Sequence, residues 1–184
     1  MRGRNDTPEQ RFDLLYRETS DAVLAYLVRR SRTTEDAADA LAETYAAAWR
    51  KLDRLPEGDR ARLWLFGAAR NELHRTARRL QAEDDLDATL ADEVRPYLED
   101  APDVEHGDDA VREALATLSR LDQEILTLTA WEELTPRQIA AVLGLSANVV
   151  RIRLHRARGN LSARLKRDQR LETTQAPAIQ HSGG

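Results

Sequence analysis

Apolar residues in this chain recur at spacings of three and four through both halves, and nowhere at a sustained spacing of two. That rhythm admits helices and argues against a sheet. Thr7-Pro8-Glu9-Gln10 reads as a helix start, with Pro8 at the first helical position and Gln10 placed for a capping box. Phe12, Leu15, Thr19, Val23 and Tyr26 or Leu27 form its stripe, and a polar break at Arg30–Thr34 ends it. A second helix begins near Glu35 and carries Ala37 or Ala38, Leu41, Tyr45, Ala48 and Leu52. Leu55-Pro56-Glu57-Gly58 is a turn. A third helix spans about Asp59–Gln81, with Leu65, Ala68 or Ala69, Leu73, Ala77 and Leu80 inward and Arg62, Arg70, Arg75, Arg78 and Arg79 charged. The expected fold class is all-α.

Charge divides the chain. Residues 1–80 hold 16 Lys+Arg and 13 Asp+Glu, residues 81–109 hold one arginine and 12 acids, and residues 110–184 hold 11 Lys+Arg and 7 acids. The formal charge of −4 therefore comes from one central stretch between two mildly basic modules. That stretch has too few large apolar residues to offset its own ordering entropy, so 82–109 reads as a flexible linker. The expected organisation is a helical bundle over 1–81, the linker, a second helical module over 110–168 and a disordered tail over 169–184.

The second module opens with a short helix over Ala110–Leu118 and another after Ser119, carrying Leu121, Ile125, Leu128 and Trp131. TPRQIAAVLGLSANVVRIRLHRAR, residues 135–158, follows. Thr135 is a good N-cap, Pro136 a good first residue, and Gln138 completes a capping box. Ile139, Ala140 and Leu143 face inward, Gly144 suits the left-handed residue that stops a helix, and Ser146 caps the next. Two helices joined by a short glycine turn make a helix-turn-helix. Val150, Leu154, Ala157 and Leu161 lock the second helix to the first, which turns Asn148, Arg151, Ile152, His155 and Arg156 outward. Such a helix enters the major groove, where arginine pairs with guanine and asparagine with adenine. Arg153, Arg158, Arg164, Lys166 and Arg167 are assigned to phosphates, and Arg137, on the first helix of the motif, is a further candidate DNA contact.

Other chemistries find little footing. There is no cysteine, and His74, His106, His155 and His181 show no metal-ligand spacing. A Gly-rich phosphate loop, a nucleophile elbow and an acid–base pair are lacking, so no enzyme, cofactor, metal or small-molecule substrate is expected. No apolar run approaches a membrane span and the N-terminus lacks a signal-peptide core, so a cytoplasmic protein without membrane insertion is expected.

Residues 114–161, ALATLSRLDQEILTLTAWEELTPRQIAAVLGLSANVVRIRLHRARGNL, resemble region 4 of bacterial sigma factors, the extracytoplasmic-function (ECF) group above all. DAADALAETYAAAWRKL, residues 36–52, resembles the region 2 helix that binds the clamp of core RNA polymerase, and RARLWLFGAARNELHRTARR, residues 60–79, resembles the part of region 2 that melts and reads the start region. The resemblance implies a dissociable initiation subunit with core RNA polymerase and promoter DNA as partners. An anti-sigma factor is a common further partner in the group. Region 4 would read the minus-thirty-five element as duplex, and region 2 the minus-ten element as a melted strand.

On that resemblance Asp39 and Glu43, one turn apart, face the polymerase clamp. Arg70, Asn71, His74, Arg75 and Arg78 line the polar flank for the melted strand, with Trp64 and Phe66 as candidate stacking or wedge residues, core packing being the alternative for each. Promoter elements about two duplex turns apart lie roughly 70 Å from each other. A free coil of the linker's length spans only about 30 Å on average, which suits a linker held extended through polymerase. The competing reading is a helix-turn-helix repressor or activator that acts without being a polymerase subunit, as a dimer on a palindromic operator.

Overall fold

The computed structural model describes residues 7–87 and 109–175; most of the acidic linker, with His106, and the tail from residue 176, with His181, lie outside the described residues. Seven α-helices make up the described chain: α1 (Pro8–Val28), α2 (Thr34–Arg50), α3 (Asp59–Asp87), α4 (Asp109–Ala116), α5 (Arg120–Ala130), α6 (Pro136–Leu143) and α7 (Ala147–Gln175), with one 3-10 turn at Leu52–Arg54. There is no strand among the described residues.

Local chemistry sets most of the boundaries. Thr7 and Gln10 close a reciprocal capping box at the start of α1. Thr33 accepts the Asp36 amide and starts α2, and Ser119 accepts the Asp122 amide and starts α5. Thr19, Val23, Tyr26 and Leu27 of α1 and Ala37, Ala40, Tyr45 and Ala48 of α2 are buried with Leu65, Phe66 and Ala69 of α3. In the second half Ile125 and Leu128 of α5, Ile139 and Ala140 of α6 and Val150, Leu154 and Ala157 of α7 form the equivalent core.

The two halves are joined by more than the linker. Their apolar clusters are continuous, because α3 lies directly against α6. Two inward assignments shift. Leu143 is only half-buried, whereas its neighbour Val142 is buried, and the Val142 carbonyl lies 3.6 Å from where a Cβ on Gly67 of α3 would sit. Trp131, assigned to the α5 stripe, is half exposed at the end of that helix, beneath the guanidinium groups of Arg29 and Arg30 at 5.4 and 5.8 Å from its ring centre.

Two helices outrun their expected ends. α3 continues past Gln81 to Asp87, and α7 continues through residues 169–175, where a disordered tail was expected. Neither extension contains glycine or proline, so nothing in the backbone stops propagation until Pro177 follows α7.

Candidate nucleic-acid interface

The α6–turn–α7 unit is fixed by backbone chemistry at each joint. Thr135 donates its amide to Gln138 Oε1 at 2.8 Å, and its Oγ1 accepts the Gln138 amide at 3.4 Å. Gly144 ends α6 in the left-handed region at φ 67°, a conformation that glycine adopts without a Cβ penalty. Leu145 N–H returns to the Ala140 carbonyl at 2.9 Å. Ser146 Oγ then accepts the Val149 amide at 3.2 Å and starts α7.

With Val150, Leu154 and Ala157 locked inward, the opposite side of α7 is set. Asn148, Arg151, Ile152, His155, Arg156 and Arg158 are all exposed, as is Arg137 on α6. Ile152 is half exposed beside the exposed Val149, so an apolar strip runs between the basic side chains. No acid occurs between Ala147 and Arg167, so this face is electropositive against the acidic chain as a whole. A shallow groove along it is lined by Val149, Ile152, His155 and Arg156 among others.

Arg153 departs from its expected place among the phosphate contacts. It is half-buried and donates to Asp122 Oδ1 of α5 at 3.0 Å. Partial burial pushes the Asp122 carboxyl up, but hydrogen bonds from Ser119 and Arg153 outweigh it and hold the group below the usual carboxylate range. Arg153 thus braces α7 on α5.

On α3 the expected polar flank splits. Asn71, His74, Arg75 and Arg78 are exposed, although Arg75 pairs with Glu72 at 3.0 Å and Arg78 Nε donates to the His74 carbonyl at 3.3 Å. Burial, then the nearby Arg70 charge, pushes the His74 imidazole below its ordinary value. Arg70 itself is engaged: Nε and Nη2 donate to the two carboxylate oxygens of Glu124 on α5 at 2.7 and 3.1 Å. Trp64 is half-buried, with Lys51 Nζ 5.8 Å from its ring centre. Phe66 is wholly buried, its ring 5.4 Å from that of Tyr26, which removes it as a stacking platform. Asp39 and Glu43 are exposed one turn apart on α2, with Ala42 exposed between them.

The reading of the sequence missed a second ionic cluster. Arg29, at the end of α1, grips Glu132 with 2.9 and 2.8 Å bonds from one Nη2 to both carboxylate oxygens. Arg30 donates to Glu132 at 3.3 Å and to Thr127 Oγ1 at 2.9 Å. Glu132 is only 5% exposed. Arg29-Arg30 reads locally as a polar helix end, and no local signal pairs it with a carboxylate 103 residues away.

Similarity to known proteins agrees with this geometry. The sigma-70 region 2 family model matches residues 15–83, and the sigma-70 region 4 model matches residues 108–161. The chain is 35% identical over 148 residues to RNA polymerase sigma factor CnrH of Cupriavidus metallidurans, covering 72% of this chain and 75% of that one. The chain belongs to the sigma-70 family, in its extracytoplasmic-function group. RNA polymerase sigma factor YlaC of Bacillus subtilis is 28% identical over 166 residues, covering 86% of this chain and 94% of its own. Among solved structures, CnrH in complex with the cytosolic domain of CnrY is 26% identical, with a TM-score of 0.55 and coverage of 85% and 88%. Sigma factor RpoE in complex with the anti-sigma factor NepR from Bartonella quintana shares the fold, with a TM-score of 0.63, 24% identity and coverage of 84% and 96%. As a sigma factor, the chain binds core RNA polymerase and directs promoter-specific initiation. Among the described residues, no helix is long and apolar enough to cross a membrane.

Proposed function

We propose that this sigma factor reads the minus-thirty-five element through α7, with Asn148 and Arg151 at base edges and Ile152, His155 and Arg156 completing the row. Arg137 and Arg158 reach flanking phosphates, and Arg153 holds the helix in register through Asp122. The observation that carries the reading is the exposed row itself, capped at Ser146 and free of acids from Ala147 to Arg167. The N-terminal part of a recognition helix meets the bases, and the half-exposed Ile152 suits a thymine methyl.

The region 2 half, about residues 1–81, takes the minus-ten element as a single strand on α3. Asn71, His74, Arg75 and Arg78 supply polar and charged contacts, Arg70 joins them once released from Glu124, and Trp64 offers a ring for stacking. Asp39 and Glu43 on α2 face the polymerase clamp. The acidic segment over 82–109 connects the region 2 half to a region 4 half over about residues 110–168. The protein acts in the cytoplasm as a non-catalytic subunit, without cofactor, metal or small-molecule substrate. An anti-sigma factor is a further partner: a solved relative carries one.

The test is open-complex formation by reconstituted holoenzyme on single-base promoter variants at several salt concentrations. Arg151→Ala should remove about 1–3 kcal/mol of discrimination at one base pair of the upstream element. Lys166→Ala should weaken all variants alike and flatten the salt dependence by about one unit of slope. Equal loss across all variants for Arg151→Ala would contradict the assigned base-reading row.

A further inference from the structure

We propose that Arg29, Arg30 and Arg70 form one anion-binding surface, which Glu124 and Glu132 occupy in the closed chain and which the phosphates of a single DNA strand occupy once the two halves part. The strand-binding half of this statement rests on the reading of α3 given above.

All three arginines belong to the region 2 match, and both carboxylates to the region 4 match. Arg70 makes two parallel bonds to Glu124, and Arg29 reaches both oxygens of Glu132 while Arg30 adds a third bond. A carboxylate presents two acceptor oxygens to a guanidinium much as a phosphate does. The cluster is continuous around Tyr26: Arg30 lies 4.0 Å over its ring, and the charges of Arg30, Glu124, Arg70 and Glu132 all bear on its hydroxyl. The carboxylates therefore stand where a backbone of the same charge would run beside the exposed Asn71 and His74.

The occlusion is one-sided. In the same closed arrangement, Asn148, Arg151, Ile152, His155 and Arg156 of α7 remain exposed, because α3 packs on α6. The closed chain thus keeps its duplex-reading face open while its own acids fill the cations of the other half. Elements roughly 70 Å apart cannot both be bound while Gly67 and Val142 are in contact, so engaging both requires the cluster to break. Opening then frees three guanidinium groups at the moment the strand needs them.

The chain has no cysteine, so Asp21→Cys on α1 and Ser162→Cys on α7, both at exposed positions, allow paired labels on the full chain. Glu124→Gln with Glu132→Gln should shift the inter-label distance from one narrow population to longer, broader values. It should also tighten binding of a labelled oligothymidylate by roughly tenfold and steepen its salt dependence by about two units, at about 0.7 per phosphate contact. Affinity for a random duplex should rise less than that for the single strand, because the freed cations lie beside the strand-binding residues of α3. Adding Arg29→Ala, Arg30→Ala and Arg70→Ala should abolish the gain for single strands. As a control for folding, Arg70→Glu with Glu124→Arg should keep the narrow distribution of the closed chain with unchanged helical content. An unchanged distance in the double glutamine variant, or a single-strand gain that survives loss of the three arginines, would overturn the proposal. If the gain appears but Arg70→Ala leaves open-complex formation on promoters unaffected, the anion surface stands and the minus-ten reading of α3 fails.

Discussion

Gly67 on α3 lies against the backbone of Val142 on α6, so that a Cβ at position 67 would sit 3.6 Å from the Val142 carbonyl oxygen. That is ordinary contact, and Gly67 has an ordinary helical setting inside α3. Gly67→Ala should therefore be accommodated and should stabilise the chain by about 1 kcal/mol, because alanine loses less backbone entropy in a helix. Gly67→Leu puts a branched side chain against the α6 backbone and should part the halves, read as a longer inter-label distance. A destabilised Gly67→Ala would show that the α3–α6 contact is tighter than described.

Tyr26 offers a test of polar burial. Its side chain is wholly buried and its hydroxyl has no hydrogen-bond partner among the described residues. Tyr26→Phe should leave stability unchanged or raise it by about 1 kcal/mol, since a buried, unsatisfied polar group is a cost. Thermal unfolding measures it, and a loss above about 1 kcal/mol would mean that the hydroxyl has a partner. Burial also pushes the phenol up to about 12, so its ionisation should be absent from an absorbance titration at pH 10.

The Asp122–Arg153 brace carries a pH signature. The Asp122 carboxyl is depressed in the folded chain from a reference of 3.8. A depressed carboxyl contributes stability that is present above the unfolded value and lost as pH falls through the lower folded value. Arg153→Ala should reduce stability near neutral pH, and the difference from wild type should shrink on acidification below pH 3.8. A difference that stays constant with pH would assign the arginine's contribution to packing alone.

Glu43→Arg on the exposed face of α2 should weaken binding to core polymerase while the helical content stays constant. Reversing an interfacial charge can cost several kcal/mol. Unchanged affinity in a pull-down with core enzyme would move the contact off this helix.

What was legible in the sequence was local. The caps at Thr7, Ser119 and Thr135, the stop at Gly144 and the inward row of α7 follow from residues within a few positions of one another. The departures have a common cause, which is packing between distant segments. Phe66 is buried on Tyr26, the Val142 backbone lies against Gly67 of α3, and Arg70 and Arg153 are drawn to acids 54 and 31 residues away. Periodicity shows that a face is apolar or charged, but it does not show which other face meets it.

The most direct measurement is transcription by core RNA polymerase from a library of randomised promoters, with and without the full chain. Transcripts should depend on the chain and start at a fixed distance downstream of two enriched elements, with Arg151→Ala altering the preference only within the upstream one. Equal transcription in its absence, or enrichment of a single palindrome bound by a dimer without polymerase, would contradict this expectation.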